Sequence, residues 1–177
     1  TLFRLNPHIQ TSTHKYIQTS REDSKFGESI DDDEKMDRIV KLYKSSPYVK
    51  LVGFHTHIGS QITTVEPYLE LTTIMIKFIE KFEKQYQFKL DILDLGGGFG
   101  IKYLESDQEF LFEKDLKQIV SLIENAVSNE TINIKQLMIE PGRSIVGNAG
   151  HTLYEISQIK KTKSKNFVVV DGGMTDN

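Results

Sequence analysis

The residues with chemical potential sit directly behind short apolar runs. Gly96-Gly97-Gly98-Phe99-Gly100 follows LDILDL (90–95). Glycines let a backbone approach an anion closely and aim N–H groups at it. The run lacks the GxGxxG spacing of a dinucleotide site and the Lys-Ser/Thr of a P-loop. Alone it reads equally as a turn that needs positive φ; its place at a strand end favours phosphate. Glu140-Pro141-Gly142-Arg143 follows the apolar LMI (137–139). Arg143 can grip a phosphate or carboxylate with two parallel bonds. Glu140 enters from an apolar run and needs a cationic partner, so an internal Glu140–Arg143 ion pair is the structural alternative. His55-Thr56-His57 sets two imidazoles on one face of a strand. That pattern also suits a metal, but no HxxxH or Asp-rich ligand set accompanies it. The Ser60 hydroxyl, beside Gly59, can bond a phosphate oxygen or serve as an ordinary loop hydroxyl. Asp171-Gly172-Gly173-Met174-Thr175-Asp176 reads by chemistry alone as a hairpin turn.

Alternating elements must position these groups. LFRL (2–5) reads as a strand, and Gln10 to Glu28 as a long polar loop. Met36, Ile39, Val40 and Tyr43 mark one face of a helix over 33–45. Residues 49–55 read as a strand. Thr63 and Glu66 have capping-box spacing, with Pro67 in the first turn of a long amphipathic helix. Its stripe is Val65, Tyr68, Leu69, Thr72, Met75, Ile79, Phe82 and Tyr86. Residues 90–95 form the next strand. Ser106 and Glu109 suggest a second capping box before a helix through Phe112, Leu116, Ile119, Val120 and Ile123. The order β-α-β-α-β-α-β argues for parallel strands with right-handed crossovers. Beyond about residue 150 the rhythm changes. Residues 152–160 and 166–170 read as two strands joined by the basic turn Lys160 to Lys165.

A small doubly wound sheet and half of an eight-stranded barrel both fit four such strands. Clustering of Arg4, Asn6, His55, His57, Gly96–Gly98 and Glu140–Arg143 at the strand ends favours the barrel, whose active sites lie on that rim. A complete barrel takes roughly 250 residues, so the 177-residue chain is expected to be a fragment with open sheet edges. Domains are expected at 1–150, half of a barrel, and at 151–177, the start of a β-rich domain.

Composition narrows the partners. The 20.3 kDa chain is 38% hydrophobic and 27% charged, an ordinary soluble mixture. A net charge of -3 gives nucleic acid no electrostatic support. Cysteine is absent, which excludes a disulfide, a thiolate zinc site and a cysteine nucleophile within the chain. No apolar run approaches the roughly 20 residues of a membrane span. Thr1 precedes neither a basic region nor a secretory apolar stretch, and the chain does not start with Met; a cut-away or partial chain in a soluble, intracellular compartment is the expectation.

A rim holding an anion cradle, a carboxylate, an arginine and an imidazole suits a phosphorylated aromatic cofactor. Pyridoxal 5′-phosphate fits best. The glycines and Ser60 would take the phosphate, His57 would stack on the ring, and Glu140 would favour the protonated ring nitrogen.

Six stretches then point to a family: RLNP (4–7), SKFG (24–27), GFHTHIGSQI (53–62), LDLGGGFGI (93–101), IEPGRSIVGNAG (139–150) and VDGGMTDN (170–177). The chain resembles the diaminopimelate decarboxylases, which have the alanine-racemase-like fold. The resemblance implies the second half of a pyridoxal-phosphate-binding (β/α)8 TIM-like barrel, followed by the first strands of a C-terminal β-domain. It implies that His57 stacks on the cofactor, that Ser60, Gly97, Gly98, Gly142 and Arg143 surround its phosphate, and that Glu140 meets the ring nitrogen. Arg143 would also meet a substrate carboxylate. The implied reaction converts meso-2,6-diaminopimelate to L-lysine and CO2 in a cytoplasmic homodimer. The family's Schiff-base lysine would lie before Thr1 and its catalytic cysteine after Asn177, arriving from the partner subunit. The isolated chain is therefore expected to be inactive and to fold poorly. Alternatives are an ornithine or arginine decarboxylase of the same fold, a non-catalytic pyridoxal-phosphate carrier, and a metal-dependent hydrolase using His55 and His57.

Overall fold

A computed structural model describes residues 1–9, 24–173, 175 and 176. They form two compact units, Thr1–Ile145 and Val146–Asn177. The first unit is a layer of parallel strands covered by helices. Its strands are β1 (Leu2–Asn6), β2 (Glu28–Ser29), β3 (Gly53–His55), β4 (Ile92–Asp94) and β5 (Gln136–Met138), in the spatial order β2-β1-β3-β4-β5. All pairings are parallel. This is the sheet of a barrel segment.

The register decides what meets at the rim. Arg4 pairs with His55, His55 with Asp94, and Asp94 with Met138. Partners in neighbouring parallel strands lie about 4.8 Å apart and project to one face. One row across the sheet therefore carries an arginine, an imidazole and a carboxylate at the C-terminal strand ends.

Three helices cover the strands. In α1 (Asp33–Ser45), the Asp32 side chain accepts from the Lys35 N–H, and Met36 and Val40 turn inward. Helix α2 (Glu66–Tyr86) buries Tyr68, Leu71, Thr72, Met75, Ile79 and Phe82, a stripe at 3.6-residue period. Helix α3 (Phe112–Ser128) buries Ile119, Ile123 and Ala126. Phe54 of β3 meets the rings of Phe78 and Phe82 edge-on. A single turn, α4 (Arg143–Val146), follows β5.

The second unit is an antiparallel hairpin of β6 (Ile156–Lys161) and β7 (Asn166–Val170). Its turn runs from Thr162 to Lys165, closed by the Thr162 N–H and hydroxyl on the Lys165 carbonyl.

Several expected boundaries need correction. The strands over 49–55 and 90–95 shrink to three residues each, because the ladder exists only where both neighbours are in register. Leu51 and Leu90 are buried as lead-ins. The strand over 152–160 begins only at Ile156. Neither capping box forms. Helix α2 is preceded by Val65 in helical conformation, with no side-chain cap, and Thr64 rather than Thr63 bonds Glu66. Near the second box, Asp107 takes the N–H groups of Tyr103 and Leu104, which ends the turn before the helix. The Leu111 N–H is instead taken by Asp115. The polar loop expected from Gln10 lies outside the described residues as far as residue 23; at its end Glu28 begins β2. Two residues carry no periodicity to reveal a strand.

Candidate functional site

Loops after β3, β4 and β5 are stitched together by backbone bonds. Thr56 N–H donates to the Asp94 carbonyl, Glu140 N–H to the Gly96 carbonyl, and Ile62 N–H to the Gly98 carbonyl. Contact is so close that side chains are excluded. A Cβ on Gly97 would collide with the Glu140 carbonyl oxygen, and one on Gly98 with the Gly59 carbonyl oxygen. Gly98 also has φ +97°, a conformation costly for any other residue. Helix α2 supports this loop from below. The fully buried Tyr68 donates its hydroxyl to the Gly97 carbonyl at 3.0 Å and stacks on Phe99 at 4.7 Å. Burial raises the Tyr68 pKa well above the usual phenol range, so it stays a donor.

The expected imidazole pair separates. His57 lies beyond β3 and its Nδ1 accepts from the Gly97 N–H at 3.2 Å. That N–H is thus engaged by the ring and not presented to an anion. Burial lowers the His57 pKa, Arg4 and His55 lower it further, and Glu140 opposes them. The ring is therefore held neutral. His55 turns to Glu140, with Nε2 3.3 Å from Oε2. Asp94 completes this group. Its carboxyl is buried and accepts from the Gly96 N–H at 2.8 Å. One donor atom each from His55, Asp94 and Glu140 lie within 4.8 Å of one another. Burial raises the Asp94 pKa, with Glu140 adding to the rise while the Gly96 N–H and His55 oppose it.

The alternative Glu140–Arg143 ion pair does not form. Arg143 instead donates to Gln61 Oε1 at 3.2 Å and to the Tyr103 hydroxyl at 3.1 Å. Gln61 is itself anchored, its side-chain amide bonding both the N–H and the carbonyl of Ile101. Ser60 sits between Gly59, which Gly98 touches, and Gln61, which holds Arg143. Gly142 is exposed, with open space around its Cα.

His57, Gly97, Gly98 and Glu140 are thus joined directly, and Ser60 and Arg143 through Gln61 and Gly59. The donor set could hold a flat, phosphorylated heteroaromatic cation: an acid for a ring nitrogen, a neutral planar ring for its face, and a hydroxyl and guanidinium for its phosphate. His55, already set at a strand end by the sequence, Asp94, Gln61, Tyr68 and Tyr103 also build this rim, and the residue types of the last four alone do not reveal it. The strand register was the signal for the first two.

A family model described as pyridoxal-dependent decarboxylase, pyridoxal binding domain, matches residues 1–147. The chain is 43% identical over 176 residues to a diaminopimelate decarboxylase of Staphylococcus aureus (strain COL), covering 99% of this chain and 41% of that protein. It is also similar to the crystal structure of diaminopimelate decarboxylase from M. jannaschii, with a TM-score of 0.76 at 32% identity over 99% of this chain. The same enzyme in co-complex with L-lysine gives a TM-score of 0.75 at 34% identity. The chain spans 39% of each of these two structures, and so well under half of the relatives it matches. Since the match takes in residues 1–147, most of the chain, the chain belongs to the pyridoxal-dependent decarboxylases, in their pyridoxal-binding domain.

Proposed function

We propose that the full-length protein is a diaminopimelate decarboxylase, converting meso-2,6-diaminopimelate to L-lysine and CO2. The observation that carries this reading is the direct join of His57, Gly97 and Glu140 at the strand ends. The names of similar proteins support the substrate: an S. aureus relative is a diaminopimelate decarboxylase, and an M. jannaschii relative was crystallised with L-lysine.

Bound at this rim, pyridoxal phosphate supplies an electron sink for the pair freed when carbon dioxide leaves. Glu140 offers a negative charge to the ring nitrogen, and opposite charge favours the protonated nitrogen. His57 offers a flat face and, being neutral, adds no second cation beside it. Ser60, Gly98, Gly142 and Arg143 would hold the phosphate. Gly97 acts by orienting His57 and by letting the loop close on Glu140. Arg143, held by Gln61 and Tyr103, is also the group proposed to meet a substrate carboxylate.

The Schiff-base lysine and the catalytic cysteine are expected outside this chain, so these 177 residues alone should not decarboxylate. Residues 1–150 are assigned to the barrel and 151–177 to the β-domain. A cytosolic homodimer with shared sites completes the proposal; no described helix is long and apolar enough to cross a membrane.

Glu140→Gln in the full-length protein tests the reading. Turnover of diaminopimelate should fall by about 10²-fold or more, while cofactor retention changes far less. Unchanged turnover removes Glu140 from its role, and turnover of ornithine or arginine in place of diaminopimelate overturns the substrate.

A further inference from the structure

We propose that His55 and Asp94 are positioning residues for Glu140, fixing the orientation of the carboxylate that faces the cofactor's ring nitrogen; this rests on the function proposed above. Three observations converge. First, the register places His55 and Asp94 side by side at the ends of β3 and β4, and Glu140 arrives two residues beyond the end of β5. Second, the Glu140 side chain is 54% exposed, whereas that of His55 is 17% exposed and Asp94 is 2% exposed. A half-exposed glutamate samples several rotamers unless held. Here the better-buried His55 bonds it, and Asp94, itself pinned by the Gly96 N–H, lies within 4.8 Å of it. Third, His55 and Glu140 are joined directly, Nε2 to Oε2 at 3.3 Å. A carboxylate only accepts, so His55 Nε2 must carry the proton toward Glu140 Oε2. Facing this group are Arg4 from β1, His55 from β3, His57 beyond it and Asp94 from β4.

The test uses the full-length protein with pyridoxal 5′-phosphate. His55→Leu should weaken cofactor affinity by about tenfold, the scale of one hydrogen bond to a charged group. It should also move the visible absorption band of the bound cofactor in the direction that Glu140→Gln moves it. His55→Gln, whose amide can donate from the place of Nε2, should restore most of both. A merely structural role would lower stability without moving the band. If Glu140→Gln shifts the band and His55→Leu leaves band and affinity unchanged, the inference is overturned and the cofactor reading stands. If the wild-type protein binds no pyridoxal 5′-phosphate, both fall. Should His55→Leu not fold, the crystal structure of the wild-type holoenzyme decides. His55 Nε2 within hydrogen-bond reach of Glu140 supports the inference, and a separation beyond about 4 Å overturns it.

Discussion

The two units use similar apolar residues to different ends. In Thr1–Ile145, Phe54 lies on a parallel strand and is fully buried, 0% exposed, because helix α2 sets Phe78 and Phe82 against it. In Val146–Asn177, Phe167 lies on an antiparallel strand and is 51% exposed. Both strands are paired along the backbone, that of Phe54 on both edges and that of Phe167 on one, so pairing alone does not set the burial. The difference is a second layer. Backbone pairing satisfies N–H and C=O groups, but apolar area leaves water only when another element covers the face. Taken by itself, a two-stranded hairpin supplies no such cover and is marginal at best. The same layer that buries the core also holds the site, since α2 reaches the glycine loop through Tyr68.

The contrast can be broken at graded strengths in the full-length protein. The largest loss is expected for Tyr68→Ala, about 3–5 kcal/mol by urea unfolding, with loss of cofactor binding because the Gly97 carbonyl loses its donor. A loss under about 1 kcal/mol would mean that α2 does not support the site. Gly98→Ala should cost about 1–3 kcal/mol from backbone strain alone, and more if the loop cannot move off Gly59. Equilibrium dialysis should show weaker pyridoxal 5′-phosphate binding, and wild-type binding would contradict the close approach.

A smaller effect depends on pH. The pKa of His57 is depressed below its ordinary 6.5, so near that value the unfolded chain binds more protons than the native one. Stability is then fully present above about 6.5 and lost as pH falls toward the lower native pKa. Asp94, with a raised pKa, has the opposite sign and acts in the more acid range above its ordinary 3.8. His57→Asn should flatten the slope of urea midpoints between about pH 7.5 and 5.5; an unaltered slope would show that His57 is not held neutral. The smallest effect is expected for Thr162→Ala in the hairpin turn, within about 0.5 kcal/mol. A change as large as that for Tyr68 would erase the contrast between the units.

Local pattern carried much of the fold. The 3.6-residue stripes located α1 and α2 because burial of one face sets that period. Capping did not follow the motifs, because a box works only when its first residue is the N-cap, and Val65 takes that place at α2. Strand β2 was invisible, being two residues held by register with Leu5 and Asn6. At the site, glycine runs and charged residues behind apolar runs singled out His57, Gly97, Gly98 and Glu140. Their partners were not legible. Nothing near Glu140 in the chain announces His55, which is 85 residues away, and nothing near Arg143 announces Tyr103. Such pairs arise from parallel register, which side-chain types at either end do not encode.

We propose that one rim grips pyridoxal phosphate by ring face, ring nitrogen and phosphate together. A crystal structure of the full-length protein grown with pyridoxal 5′-phosphate tests it most directly. It should place the ring against His57, the ring nitrogen at Glu140, and the phosphate among Ser60, Gly98 and Arg143. A cofactor seated elsewhere, or a ring turned so that Glu140 faces no nitrogen, would contradict the account.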